Sequence, residues 1–212
     1  MNIFKKLAVA AGFAAALGVA HAASAQTVTT AAAPDNSAQG LMYEVEASAP
    51  LNLTSVSADI STDGDYTVYG RPGSYVGASG SDDGWLEIGS AVEASGLTTF
   101  EITTPEIAAG ATYAIYIASD DDTGGVSYGT DGVIAGATVA SDDNLAIKTG
   151  VGKPTQFSAV DYSPVAPVGS VSYVLVPAPE PIPTLSEWAM ILLGLTLAGG
   201  ALLMIQRKPR AI

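Results

Sequence analysis

Two apolar runs lie near the ends of the chain, and the stretch between them has a different pattern. Residues 7–20 and 189–205 carry no charged side chain. Between them, apolar residues recur in short runs and alternate with polar ones, as in Phe100-Glu101-Ile102. A period of two places one face of a β-strand inward and the other outward. No long stretch outside the two ends shows the 3.6-residue periodicity of a helix.

The middle of the chain predicts nine short strands, because β-branched and aromatic residues cluster between turns rich in Gly, Asp, Asn and Ser. The predicted strands cover residues 41–47, 51–60, 66–69, 85–92, 98–103, 112–118, 125–128, 145–149 and 170–176. Short strands at this spacing predict an all-β fold, an antiparallel β-sandwich or jelly roll. About 135 residues can bury a sufficient core without disulfides.

The N-terminal run has the features of an export signal. Two lysines precede it, and the small residues Ala23 and Ala25 follow it, just before Gln26. This order is that of a Sec-type secretory signal peptide. We therefore expect a signal helix within residues 1–25 and cleavage after Ala25. A retained N-terminal anchor is the alternative.

The C-terminal run predicts a transmembrane helix. Residues 189–205 form 17 uncharged positions, the lower limit for crossing about 30 Å of hydrocarbon. Trp188 stands where an interfacial aromatic residue belongs, and a basic tail follows. The positive-inside rule keeps such a tail in the cytoplasm and the bulk of the protein outside. The residues of this tail are Arg207, Lys208 and Arg210.

The remaining segments divide the chain further. Residues 177–183 contain four prolines, and such density favours an extended, semi-rigid linker. Residues 26–39, rich in Ala, Thr and Ser, predict a flexible arm. The predicted β-sandwich domain is then residues 40–176, followed by a C-terminal segment over 182–212.

The charge distribution limits the partners of the middle region. The chain of 212 residues has a net charge of −13. Residues 26–180 hold 20 acidic and three basic residues, a net charge of −17. A surface of this sign repels nucleic acid and anionic lipid headgroups. Nucleic acid is therefore excluded as a partner.

The composition also argues against most enzyme classes. The chain has no cysteine, and its one histidine, His21, lies in the predicted signal peptide. Disulfides, thiolate nucleophiles, cysteine-bearing metal sites and the Ser-His-Asp arrangement are thereby excluded for the mature chain. We expect a non-enzymatic protein without a required cofactor.

Four acidic clusters are the candidate metal sites. Glycine-containing turns rich in oxygen ligands suit Ca²⁺. Asp120, Asp121 and Asp122 are the best candidates, since adjacent carboxylates repel one another unless a cation relieves them. The alternative is that Asp and Asn serve as turn residues of hairpins. The other clusters are Asp59 with Asp63 and Asp65, Asp82 with Asp83, and Asp142 with Asp143.

The aromatic residues suggest an alternative function, a carbohydrate-binding module that depends on Ca²⁺ or does without it. Seven of them could stack against sugars, although aromatic residues in strands more often belong to the core or to cross-strand pairs. These seven are Tyr66, Tyr69, Tyr75, Trp85, Tyr113, Tyr116 and Tyr128. Paired carboxylates leave a glycoside hydrolase as a third interpretation.

The C-terminus resembles a known family of sorting signals. Ile182, Pro183, Thr184, Leu185 and Trp188, followed by an apolar helix and a basic tail, resemble the IPTL-type signal, a relative of the PEP-type signals. The family usually has Gly after the Trp, where this chain has Ala. The resemblance implies that a membrane-embedded exosortase-like enzyme recognises the motif and removes the tail. An ordinary single-pass anchor is the alternative.

The middle of the chain is similar to a recurrent extracellular module of bacterial sorted proteins. The matching pieces are strand and turn patterns, such as 66–69, 85–89 and 144–152. The resemblance implies fold and location but no substrate. Together with the sorting signal, it implies transient residence in the inner membrane of a Gram-negative bacterium, then the cell surface or extracellular matrix. Extracellular polysaccharide is the partner expected under the alternative function.

Overall fold

The alternating segments of the chain form twelve strands, which we describe from a computed structural model covering residues 24–121, 124–178 and 185–206. One helix, α1, follows them. The strands are β1 (Gln26–Thr29), β2 (Asn36–Ala38), β3 (Gly40–Ala47), β4 (Leu51–Pro72), β5 (Leu86–Glu101), β6 (Thr112–Ser119), β7 (Gly125–Gly129), β8 (Thr138–Ser141), β9 (Leu145–Lys148), β10 (Gly150–Lys153), β11 (Tyr162–Pro167) and β12 (Gly169–Leu175), and α1 is Leu185–Gln206.

Six of the strands close into a ring. Going round it, β4 pairs with β6, β6 with β3, β3 with β10, β10 with β11, β11 with β7, and β7 with β4 again. Every one of these pairs is antiparallel. The other strands extend the sheet outside the ring: β5 and β12 pair with β4, β1 with β12, β9 with β3, β8 with β9, and β2 with β7.

The 22-residue strand β4 connects three parts of the sheet. Its first part pairs with β12, Ile60 and Thr62 pair with β7, and its last part pairs with β6. β5 follows β4 along nearly its whole length, with register shifts between Ile60 and Tyr66. Extra residues at such bulges bend a strand. Because of this bend, one long strand can pair with two different strands of the ring, β6 and β7.

The ring strands β3, β6, β7 and β10 are largely buried on both faces. On β6, Tyr113, Ile115 and Ile117 belong to the main core. The residues between them, Tyr116 among them, belong to a second group of apolar side chains that we call the outer cluster. Its buried members are Met42, Trp85, Ala114, Tyr116, Ala118 and Val151, with Tyr69, Tyr75 and Phe157 packed against them.

The all-β class is confirmed, but the predicted sandwich is not shown. The strands form one hydrogen-bonded sheet that closes on itself as a six-strand barrel, instead of two stacked sheets. Closure removes free edges from the ring strands, which a sandwich would leave at the ends of both sheets. The predicted N-terminal signal helix lies outside the described residues.

The predicted flexible arm over residues 26–39 is wrong, because this segment contributes β1 and β2. Gln26 pairs with Tyr173 and Thr29 with Ser170 along β12. Val28 is 4% exposed and belongs to the main core. The segment has few apolar residues, yet edge pairing and one buried valine are sufficient to order it. The folded unit therefore begins at β1.

The contacts along the chain divide it into two compact units, one ending at Pro177 and the other beginning at Ala178. The first holds all twelve strands and the second holds α1. We call the first the β unit.

Candidate functional site

Between residues 189 and 204, the C-terminal helix α1 is apolar on every side. It contains no basic residue in its last turn and has no polar face. Its residues from 189 to 204 are exposed, including Met190, Leu197 and Met204. Thr196 satisfies its hydroxyl within the helix, donating to the carbonyl oxygen of Leu193 at 2.8 Å. A helix that is hydrophobic all round is typical of an apolar environment.

Among the residues that the structure describes, no helix is both long and apolar enough to cross a membrane, so the predicted transmembrane helix over 189–205 is not confirmed.

The predicted sorting motif is only partly within the described residues. Leu185 and Trp188 lie in the first turn of α1. The other predicted positions are outside the described residues, namely Ile182, Pro183 and Thr184 of the motif and Arg207, Lys208 and Arg210 of the basic tail.

The predicted signal-peptide cleavage site lies at the start of the fold. Ala23 is outside the described residues, Ala25 is exposed, and Gln26 is the first residue of β1. The phenol oxygen of Tyr173 lies 2.7 Å from Gln26 Oε1. Asn144 donates its amide to the same oxygen at 3.3 Å. Cleavage after Ala25 stays a prediction, and it would leave an N-terminal residue that is anchored by its side chain.

Two of the three predicted calcium ligands, Asp120 and Asp121, lie within the described residues. Asp120 accepts a hydrogen bond from Thr67 Oγ1 at 3.0 Å, and the backbone carbonyl of Asp121 accepts one from Gln39 Nε2 at 2.9 Å. Asp122 lies outside the described residues. In the described part of the chain, no group of three or more His, Cys, Asp or Glu residues could hold a metal ion.

In the predicted cluster of Asp142 and Asp143, the Asp142 carboxylate accepts hydrogen bonds from the turn that follows it. Asp142 Oδ1 accepts the backbone N–H groups of Asn144 and Leu145, both at 2.8 Å, and closes the turn before β9. Its Oδ2 lies 2.7 Å from the phenol oxygen of Tyr173. Burial alone would raise the pKa of Asp142, but the hydrogen bonds from Tyr173, Asn144 and Leu145 hold it below its ordinary value. This cluster fits the turn interpretation.

The predicted aromatic platform is not present, because none of its seven residues is exposed. Five of them are buried, and Tyr69 and Tyr75 are half-buried. Tyr66 and Tyr69 point to opposite faces, as their spacing predicts, but Tyr66 lies in the main core and Tyr69 against the outer cluster. The buried five are Tyr66, Trp85, Tyr113, Tyr116 and Tyr128.

Two loops cover the outer cluster. Phe157, in the loop between β10 and β11, packs its ring 5.0 Å from that of Tyr116 and 5.3 Å from that of Tyr69. Trp85, from the loop between β4 and β5, lies 5.9 Å from Tyr116 and donates its indole N–H to the carbonyl of Ala78 at 3.1 Å. Four of the seven predicted platform residues therefore belong to this outer cluster, namely Tyr69, Tyr75, Trp85 and Tyr116.

Residues 180–207 match the family model described as the IPTL-CTERM motif. A comparison with the curated proteins and with the solved structures found no match for this chain. The resemblance of the middle region to a bacterial extracellular module is thus not confirmed. The predicted IPTL-type sorting signal at the C-terminus is confirmed.

Proposed function

We propose that this chain is an exported, non-enzymatic protein of the cell surface or extracellular matrix, whose C-terminal segment is the substrate of an exosortase-like processing enzyme. The observation that carries the proposal is the IPTL-CTERM match over residues 180–207. A sorting signal at the C-terminus implies export and a surface or extracellular location. In this view the β unit is the part displayed by a Gram-negative bacterium.

The form of α1 supports the C-terminal part of the proposal. The helix begins at Leu185, within the matched motif, and has no polar face. An exposed apolar helix costs free energy in water in proportion to its area. A membrane-embedded processing enzyme provides the apolar environment that this helix fits.

The start of the fold supports the export signal. The first strand begins at Gln26, directly after the predicted cleavage site, and Ala25 is exposed. A protease can reach an exposed bond next to an ordered unit without unfolding that unit. Removal of the signal peptide also removes His21, the histidine of the chain.

The remaining composition supports a non-enzymatic role. After that removal, the chain has neither histidine nor cysteine. Asp142 is engaged in closing a turn, as described above. The chemistry of sorting then belongs to the processing enzyme, and this chain supplies its substrate.

The test removes the motif in the native host. Deletion of residues 183–188 should leave the full-length precursor in the membrane fraction, since the enzyme has no recognition sequence. The readout is immunoblotting of membrane and released fractions, with the intact mass of the mature form. The same accumulation is expected of the parent chain in a strain without the exosortase-like enzyme.

The matched control changes nearby prolines outside the core motif. The double substitution Pro177→Ala and Pro179→Ala alters the linker but not the motif, so it should mature as the parent does. Ile182→Ala with Pro183→Ala should accumulate as precursor. A motif deletion that matures and localises like the parent would overturn the proposal.

A further inference from the structure

A groove of about 570 Å³ opens between β2 and β11. Hydroxyl and amide side chains line it together with two aromatic rings and apolar atoms of Val133, Pro164 and Val165. The polar and aromatic side chains are Asn36, Ser37, Tyr128, Thr130, Tyr162 and Ser163. Its size lies within the range of small-molecule binding sites.

The register of three strands creates the opening. β7 pairs with β2 through residues 126–128, but with β11 only through Ala166 and Pro167. The earlier residues of β11, Tyr162 and Val165, pair with β10 instead. β11 therefore leaves β7, and Tyr128 forms part of the lining where the two strands diverge.

The aromatic surface of the groove is accessible. Tyr162 is 46% exposed, whereas every other tyrosine in the described part of the chain is buried or half-buried. Burial raises the pKa of Tyr128, and the neighbouring Tyr162 and Asp35 raise it further. Both tyrosines line the groove, and Tyr162 is the one whose side chain is exposed to a ligand.

Hydrogen bonds hold the polar rim in place. Asp35 Oδ2 accepts the backbone N–H of Thr130 at 3.0 Å and its hydroxyl at 2.9 Å. Asn36 Oδ1 accepts the N–H of Ser37 at 2.9 Å. Side chains that are already ordered lose less entropy when a ligand binds.

The side chains that line the groove are uncharged, although the protein is strongly acidic. The chain has 21 acidic residues, yet no acidic or basic side chain lines the groove. The carboxylate described at the rim, that of Asp35, is already hydrogen-bonded to Thr130, and the net charge of −13 disfavours an anion. These facts favour a neutral ligand with many hydroxyl groups and an apolar face, which is the chemistry of a neutral sugar.

We propose that this groove binds a neutral polysaccharide segment of about two or three sugar units, with one sugar ring stacked on Tyr162. The hydroxyl and amide groups of the rim hydrogen-bond the sugar hydroxyls. The site differs from the seven-residue platform that the sequence suggested, since Tyr162 was not part of it. It goes beyond the proposed function, because it assigns a ligand to the exported unit.

The experiment is calorimetric titration of the full-length chain in a detergent without a sugar headgroup. The probes are maltotriose, cellotriose and triacetylchitotriose, with trigalacturonate as the anionic counterpart. At least one neutral trisaccharide should bind, and trigalacturonate should not. Tyr162→Ala should weaken binding by about tenfold or more, because it removes the stacking surface.

Two further variants separate binding from folding. Tyr162→Phe keeps the ring and should keep most of the affinity. Val160→Ala, an exposed change outside the groove, should bind as the parent does. The proposal is overturned if no neutral trisaccharide binds the folded chain at millimolar concentration, if Tyr162→Ala binds equally well, or if trigalacturonate binds as tightly. None of these outcomes affects the sorting proposal, which depends on the C-terminal motif.

Discussion

Lys153, which has no exposed side-chain surface, forms an ion pair with Asp161 across the loop between β10 and β11. The same ammonium group donates to the carbonyl oxygen of Ser158 at 2.8 Å. A lysine is rarely buried this completely unless it is paired. The pair connects a strand of the ring to the loop that carries Phe157 over the outer cluster.

Asp161→Ala should destabilise the β unit by about 3 kcal/mol, because it leaves a buried ammonium group without its counter-ion. The measurement is thermal or denaturant unfolding of the full chain. Glu46→Ala is the matched control, since Glu46 pairs with Lys148 at 3.1 Å on a more exposed surface. That variant should lose less than about 1 kcal/mol. Equal losses in the two variants would contradict a structural role specific to Lys153 and Asp161.

Gly150→Ala should be strongly destabilising. A Cβ at this position would collide with the backbone carbonyl group of Met42 on the neighbouring strand β3. Backbone cannot rotate away as a side chain can, so the expected cost is about 2–3 kcal/mol or more. Gly80→Ala is the control, because its Cβ would meet Ala159 Cα at 3.4 Å, an ordinary contact. Unfolding midpoints of both variants give the comparison, and a Gly150→Ala chain as stable as the control would contradict the close approach of β10 and β3.

The close approach of β10 and β3 explains why closure of the sheet could not be predicted from the sequence. The segment Gly150-Val-Gly-Lys153 has too little apolar pattern to predict a strand, yet all four residues are buried. β11 contains Pro164, which weakens a strand pattern further. Both strands are needed to close the ring. Strands with clear alternation, such as β3 and β6, are the ones the pattern does predict.

The sorting motif and the groove also differ in how far the sequence can predict them. The sorting motif is contiguous, so its residues can be recognised without a fold. The groove combines Asn36, Tyr128 and Tyr162, which are far apart in the chain and meet only through the register of β2, β7 and β11. Aromatic residues in alternating strands look alike whether they face the main core, the outer cluster or solvent. Composition alone therefore could not distinguish Tyr162 from the buried tyrosines.

The tyrosines should make the fold sensitive to alkali. Burial raises the pKa of Tyr75 and of Tyr173 to about 12, from an ordinary value of 10.0. A group whose pKa is higher in the folded state than in the unfolded state contributes stability that is complete below the unfolded pKa. That stability is lost as the pH rises through the folded pKa. Unfolding midpoints should therefore fall between pH 10 and about pH 12.

Phenolate absorbance tests this expectation directly. The native chain should titrate its buried tyrosines at higher pH than the same chain unfolded in urea, where they are exposed. Ionisation and loss of the fold should coincide. A native chain in which all the tyrosines titrate near pH 10 while the fold persists would contradict the burial of these rings.

Protonation of Asp142 should lower the stability of the fold at acidic pH, since its pKa is lower in the folded chain than its ordinary value of 3.8. Its contribution is complete above that value and is lost as the pH falls through the lower folded pKa. Asp142→Ala removes the acceptor of two backbone N–H groups and a neighbour of Tyr173, so it should cost about 1–2 kcal/mol at neutral pH and flatten the acid limb.

The adjacent Asp143 provides the control for this change. It is exposed and has the same charge, so Asp143→Ala alters the net charge equally and should lose less than about 0.5 kcal/mol. The midpoints of both variants are measured from acidic to neutral pH, with calcium and with a chelator. If Asp142 acts by closing the turn, the difference between the variants is independent of calcium. A difference that appears only when calcium is present would mean that a bound cation, and not the turn, explains the role of this carboxylate.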